Sequence, residues 1–129
     1  MDMQLTKAEE QIMQILWTME EGTVQDILKE FVDPKPARTT IATVLSILEN
    51  KNFVTHRSEG RLNIYKALVA KEDYSKKQLL GFVKDYFNGS FSSMISFFAK
   101  ENNLTLEEMD HLLEETRQAL DDKQTDKTE

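Results

Sequence analysis

Apolar positions recur at helical spacing three times within the first fifty residues. Ala8, Ile12, Ile15, Leu16 and Met19 form one stripe, with Trp17 at its edge. Thr6 is placed to cap this helix, and Glu9, three residues on, completes a capping box by reaching back to the cap amide. Glu20-Glu21-Gly22 ends the helix, with the glycine expected to supply the left-handed turn. Thr23 opens a shorter helix that runs to about Phe31 and buries Val24, Ile27, Leu28 and Phe31. Pro34 and Pro36 then remove backbone donors and push the residues before them out of helical geometry. A third helix follows, with Ile41, Val44, Leu45 and Leu48 on its apolar face. Arg38, Thr39, Thr40, Thr43 and Ser46 lie away from that face.

After Asn52 the period falls to two. Residues 53–57 and 61–68 alternate like strands, joined by Ser58-Glu59-Gly60. Two short helices, a proline turn, a third helix and a basic-tipped hairpin make a winged helix-turn-helix. In that arrangement the third helix enters the major groove and the second braces it. The polar run Lys71-Glu72-Asp73-Tyr74-Ser75 is the expected boundary of this first domain, residues 1–72.

Residues 73–121 have a different character. Leu79, Phe82, Val83, Tyr86 and Phe87 cover a wide sector of one helix, which Asn88-Gly89 breaks. Ser90 starts the next, which carries Phe91, Met94, Ile95, Phe97 and Phe98. Asn102-Asn103 breaks that one. Thr105 and Glu108 make a second capping box, opening a last helix to about Leu120 with Leu106, Met109, Leu112, Leu113 and Leu120 as its stripe. Three short helices cannot cover so many large apolar side chains among themselves, and a large exposed apolar patch marks an interface. A homodimer is therefore expected. Its contacts would be Leu79, Phe82, Val83, Tyr86 and Phe87, then Phe91, Met94, Ile95 and Phe98, and finally Met109, Leu112 and Leu113. Residues 122–129 hold no apolar side chain and are expected to form a disordered acidic tail. The fold class is mainly α (α+β): an N-terminal winged helix-turn-helix with a small β-hairpin wing, followed by dimerisation helices.

Charge sharpens this picture. A net charge of −7 over 129 residues looks unsuited to phosphate, but its distribution is uneven. Residues 1–33 carry two lysines against eight carboxylates, whereas residues 34–66 carry six cations against two carboxylates. The positive charge sits in the segment whose geometry suits a groove. With no cysteine, disulfides and thiolate metal sites are excluded. Neither a membrane-spanning run nor a secretory signal is present, so no membrane insertion and a cytoplasmic location are expected. Catalysis finds little footing. His56 and His111 lie in a strand and a distant helix, and the pairs Glu107-Glu108, Glu114-Glu115 and Asp121-Asp122 point in different directions around a helix. No enzyme activity, cofactor or metal is expected.

Taken in order and spacing, these residues resemble the BlaI/MecI/CopY family of bacterial winged-helix transcriptional repressors over about residues 5–120. The markers are Leu5-Thr6-Lys7-Ala8-Glu9 with Ile12-Met13 and Leu16-Trp17, then Thr40-Ile41 with Thr43 and Leu48. The hairpin ending in Tyr65 and the run from Tyr86 to Phe91 complete them. The resemblance implies a homodimer that binds an inverted-repeat operator and blocks transcription, often of antibiotic-resistance or stress genes. It implies that the helices after Tyr74 form the dimer. In the β-lactamase and methicillin-resistance members, induction involves a membrane sensor protease and cleavage of an Asn-Phe bond. The matching bond here is Phe97–Phe98, with phenylalanine where asparagine would stand. The cysteine-rich metal tail of the copper-responsive branch is absent.

On this reading Arg38 clamps a phosphate or reaches a guanine edge, and Thr39, Thr40, Thr43 and Ser46 line the groove-facing side of the third helix. A threonine methyl also packs on a thymine C5-methyl. Lys35 and Lys51 suit phosphates, and Arg57 and Arg61, near the hairpin tip, suit backbone or minor-groove contacts. Two other classes compete: a winged-helix module that meets a protein through the same surface, and a regulator that senses a small molecule among its C-terminal aromatics.

Overall fold

The computed structural model describes residues 4–127, and their order is α1 (Lys7–Met19), β1 (Glu21–Gly22), α2 (Val24–Lys29), α3 (Arg38–Asn50), β2 (Val54–Glu59), β3 (Leu62–Ala67), α4 (Lys71–Phe87), α5 (Phe91–Glu101) and α6 (Leu106–Lys127). It divides into two compact units, residues 1–81 and 82–129.

In the first unit, local chemistry sets the helix starts. The Thr6 hydroxyl accepts from the Glu9 amide while the Glu9 carboxylate accepts from the Thr6 amide. Thr23 and Asp26 make the same reciprocal pair at α2, and that pair holds the Asp26 carboxyl below its ordinary range. Ile12, Met13 and Leu16 of α1, Ile27 of α2 and Ile41, Leu45 and Leu48 of α3 bury completely against Phe53, Val54 and Tyr65 of the hairpin. The α1 stripe is rotated from the expected one. Met13 is buried, Ala8 is exposed and Ile15 and Met19 are half-buried.

The sheet is antiparallel, in the order β1-β3-β2. Glu59 pairs with Leu62, so Gly60 and Arg61 alone form the turn. Gly60 has a φ of 62° and Arg61 a negative one, the sign pattern of a type II′ hairpin turn. The short strand β1 departs from the expected helix end. The left-handed residue is Glu20, with φ 72°, and Gly22 is buried in the strand. Its value is space: a Cβ there would stand 2.5 Å from Met19 Sδ and 3.2 Å from Asp26 Cβ.

The expected boundary near residue 72 lies inside a helix. α4 runs unbroken through it, and Tyr74 is buried in the first core, its ring 5.6 Å from Trp17 and 6.1 Å from Phe53. The Trp17 indole donates to the Val69 carbonyl at 2.8 Å, and the Tyr74 hydroxyl donates to Glu10 at 3.0 Å. Burial, then the Glu10 carboxylate, pushes the Tyr74 phenol up to about 12. The last helix also exceeds expectation. It reaches Lys127 where a disordered tail from residue 122 was expected, because no glycine or proline interrupts those residues; residues 128 and 129 of that tail lie outside the described residues.

In the second unit, Phe87 packs between Phe82 and Phe97, with centroids 5.9 and 5.7 Å away. Val83 is only 1% exposed within the single chain, so it is withdrawn from the expected dimer surface. Phe87, Met94 and Met109 are half-buried, whereas Phe82, Tyr86, Phe91, Ile95, Phe98, Leu112 and Leu113 stand exposed. Leu79, in the first unit, is exposed as well, and so is Leu80, which the sequence reading passed over.

Candidate nucleic-acid interface

All the residues expected to meet nucleic acid lie in the first unit, on α3, the turn before it and the hairpin. Ala37 sits at the α3 cap without a side-chain hydrogen bond. Three apolar residues hold the inner side of α3, so Arg38, Thr39, Thr40, Thr43 and Ser46 are turned to solvent together. Thr43 donates to the Thr39 carbonyl at 2.8 Å, which commits its hydroxyl proton within the helix. At the far end His56 Nδ1 lies 2.7 Å from Glu49, and the His56 ring lies 5.2 Å from Tyr65. This contact ties the wing to α3, a structural use of the only histidine in the unit.

The cations divide into two groups. Among the described residues, no side-chain hydrogen bond or ion pair engages the guanidinium of Arg38 at the start of α3 or of Arg61 in the wing turn. Both are exposed.

Three others are engaged within the chain. Arg57 donates from both terminal nitrogens to Glu21, at 2.7 and 3.0 Å, and from Nε to Glu59 at 3.2 Å. This fork-to-fork pairing holds the Glu21 carboxyl below its ordinary range and raises the guanidinium pKa further. Lys51 lies 3.0 and 2.9 Å from the two Glu9 oxygens. Lys35 donates to the Lys29 carbonyl at 3.5 Å, a long contact with an exposed residue.

Sequence reasoning missed Glu21 as the partner of Arg57 and Glu9 as that of Lys51, which lie 36 and 42 positions away and carry no local signal. It also passed over Ile47, which is 42% exposed on the outer side of α3.

No group of three or more metal-ligating side chains exists among the described residues. No helix among them is long and apolar enough to cross a membrane.

Comparison with known proteins identifies the family. The Penicillinase repressor family model matches residues 5–118. The penicillinase repressor of Bacillus licheniformis is 27% identical over 110 residues, covering 84% of this chain and 86% of that protein. Methicillin resistance regulatory protein MecI of Staphylococcus aureus (strain N315) is 26% identical over 110 residues, covering 84% and 89% respectively. A solved structure of Lactococcus lactis ZitR superposes with a TM-score of 0.46 at 13% identity, covering 95% of this chain and 77% of that one. A match spanning both units, from the first capping box to α6, places this mainly α winged-helix chain in the penicillinase repressor family, a family of repressors and not of enzymes.

Proposed function

We propose that this protein is a cytoplasmic homodimer that binds an inverted-repeat operator in double-stranded DNA and represses transcription. The observation that carries the reading is the pairing, within one unit, of a polar outer face on α3 with a wing turn whose arginine has no partner among the described residues. The third helix of such a unit fits the major groove, and a cationic wing tip suits the flanking backbone or minor groove. One unit reads a short half-site. A two-fold dimer through the exposed apolar residues of the second unit doubles it.

Fluorescence anisotropy across a salt series tests this, comparing the protein's own upstream region with a scrambled duplex. Tight, site-dependent binding that weakens steeply with salt supports the reading. Failure to enrich any sequence from a pool of random duplexes refutes it.

Relief by a membrane sensor protease is the second arm of the proposal. The Phe97–Phe98 bond lies within α5 with both side chains about half exposed. Cutting it would divide the dimer-forming helices, so cleaved protein should sediment as monomer and release the operator.

A small-molecule-sensing reading has one observation in its favour. A cleft of about 460 Å³ opens beside Phe98, Leu104 and Leu112, rimmed by Glu107, Glu108 and His111, a volume within the drug-sized range. A ligand that raises the melting temperature and lowers operator affinity would establish that reading.

A further inference from the structure

The outer face of α3 is unusual in what it lacks. Between Arg38 at its start and Asn50 at its end, the exposed positions are Thr39, Thr40, Thr43, Ser46 and Ile47. None of these is the arginine, lysine, asparagine or glutamine that makes a bidentate contact with a purine edge. Three are threonines, each with a methyl group, and the hydroxyl proton of Thr43 is already given to the Thr39 carbonyl. Ile47 is the one large apolar side chain on this face, and it is 42% exposed. At 3.6 residues per turn it stands about 20° around the axis from Thr40 and about 40° from Thr43. It therefore continues the Thr40–Thr43 line by one further turn and does not belong with Leu45 and Leu48, which are buried. Val44, by contrast, is half-buried and packs against the core.

We propose that Ile47 is a specificity-determining residue that reads the C5-methyl group of a thymine in the major groove. The inference rests on the DNA-binding reading above and deepens it. The thymine methyl is the one apolar group that a base edge presents in that groove. An isoleucine side chain facing cytosine or a purine at the same step would meet polar edges it cannot satisfy. The line of methyl-bearing side chains, with Ile47 as its largest member, thus selects thymine at a defined place in each half-site.

The test uses the full-length protein and the duplex it enriches from a random pool. Each thymidine is replaced in turn by deoxyuridine, which removes the methyl group and leaves base pairing unchanged. At one position per half-site the wild-type protein should lose about fourfold in affinity for each methyl removed, the scale of one buried carbon. Ile47→Ala should bind the thymine and uracil duplexes equally at that position, while Ile47→Val should retain part of the difference. Circular dichroism and sedimentation should be unchanged in both variants because the side chain lies outside the core. Indifference of the wild-type protein to every uracil overturns the proposal, and so does discrimination that survives in Ile47→Ala. In both cases the enriched duplex shows that DNA binding itself stands. If the pool yields no enriched duplex, the DNA-binding reading falls and the assignment of Ile47 falls with it.

Discussion

Glu9 is 3% exposed, the only charged side chain buried among the described residues. Burial pushes its pKa up, but the Thr6 backbone amide and Lys51 outweigh burial and hold it below the ordinary value of 4.5. A carboxyl whose folded pKa is lowered stabilises the fold at pH above its unfolded value, and that contribution disappears as pH falls through the folded value. Stability should therefore decline below about pH 4.5, and Glu9→Gln should remove this group's share of the decline in urea melts at successive pH values. Lys51→Met leaves the carboxylate with the cap alone and should cost about 1–3 kcal/mol at neutral pH. The same variant separates two uses of one side chain. Lys51 was expected to touch phosphate, yet it is paired with Glu9 at 2.9 Å. If the pair is its whole role, Lys51→Met lowers the urea midpoint and leaves the salt dependence of DNA binding unchanged.

Within the wing, two arginines four positions apart have different surroundings. Arg61 lies in the turn with no partner among the described residues, and Arg57 is clamped between Glu21 of β1 and Glu59 of its own strand. Arg61→Gln should weaken binding to every duplex and lower the slope of log affinity against log salt by about one. Arg57→Gln should leave that slope unchanged and instead speed amide exchange in β1 and the wing, because it releases the tie between them. The contrast also marks what local sequence conveys. The three helices, the Thr6–Glu9 capping box and the hairpin rest on neighbours within a few positions, and their residues announce them. The reciprocal half of the Thr23 cap, Asp26, was not read from the sequence. The strand β1 has two residues, too few to alternate. It exists through pairing of Glu21 with Lys66 and Gly22 with Tyr65, more than forty positions on. Tyr74 sits in a run that reads as a polar junction, yet its ring completes a core built from α1 and the hairpin. Long-range pairing decides such features, and periodicity carries no record of it. On α3, burial was legible from spacing, but the exposed isoleucine at position 47 passed as filler among polar residues.

At the scale of the whole molecule, the proposed repressor depends on joining two half-site readers through the second unit. The exposed apolar residues there include Ile95 of α5, 47% exposed, and Tyr86 near the end of α4, 73% exposed. A charge at Ile95 would be solvated in a monomer but buried without a partner at a two-fold interface, where its image also lies close by. Ile95→Glu should therefore give a monomer by sedimentation equilibrium, with helical circular dichroism retained. Val83→Glu provides the contrast. Its site is 1% exposed within one chain, so the charge should disrupt the packing of the second unit itself and lower helicity. If the operator is read by two linked units, the monomeric Ile95→Glu protein loses the gain from linkage, about 10²-fold or more in affinity. Its affinity for an isolated half-site should remain that of the wild-type protein, since α3 and the wing lie in the first unit. A monomer that still binds the full operator at wild-type affinity would show that one chain carries the whole recognition. The two-fold arrangement would then have to be abandoned. A dimer that persists with glutamate at position 95 would move the interface to another face of the second unit.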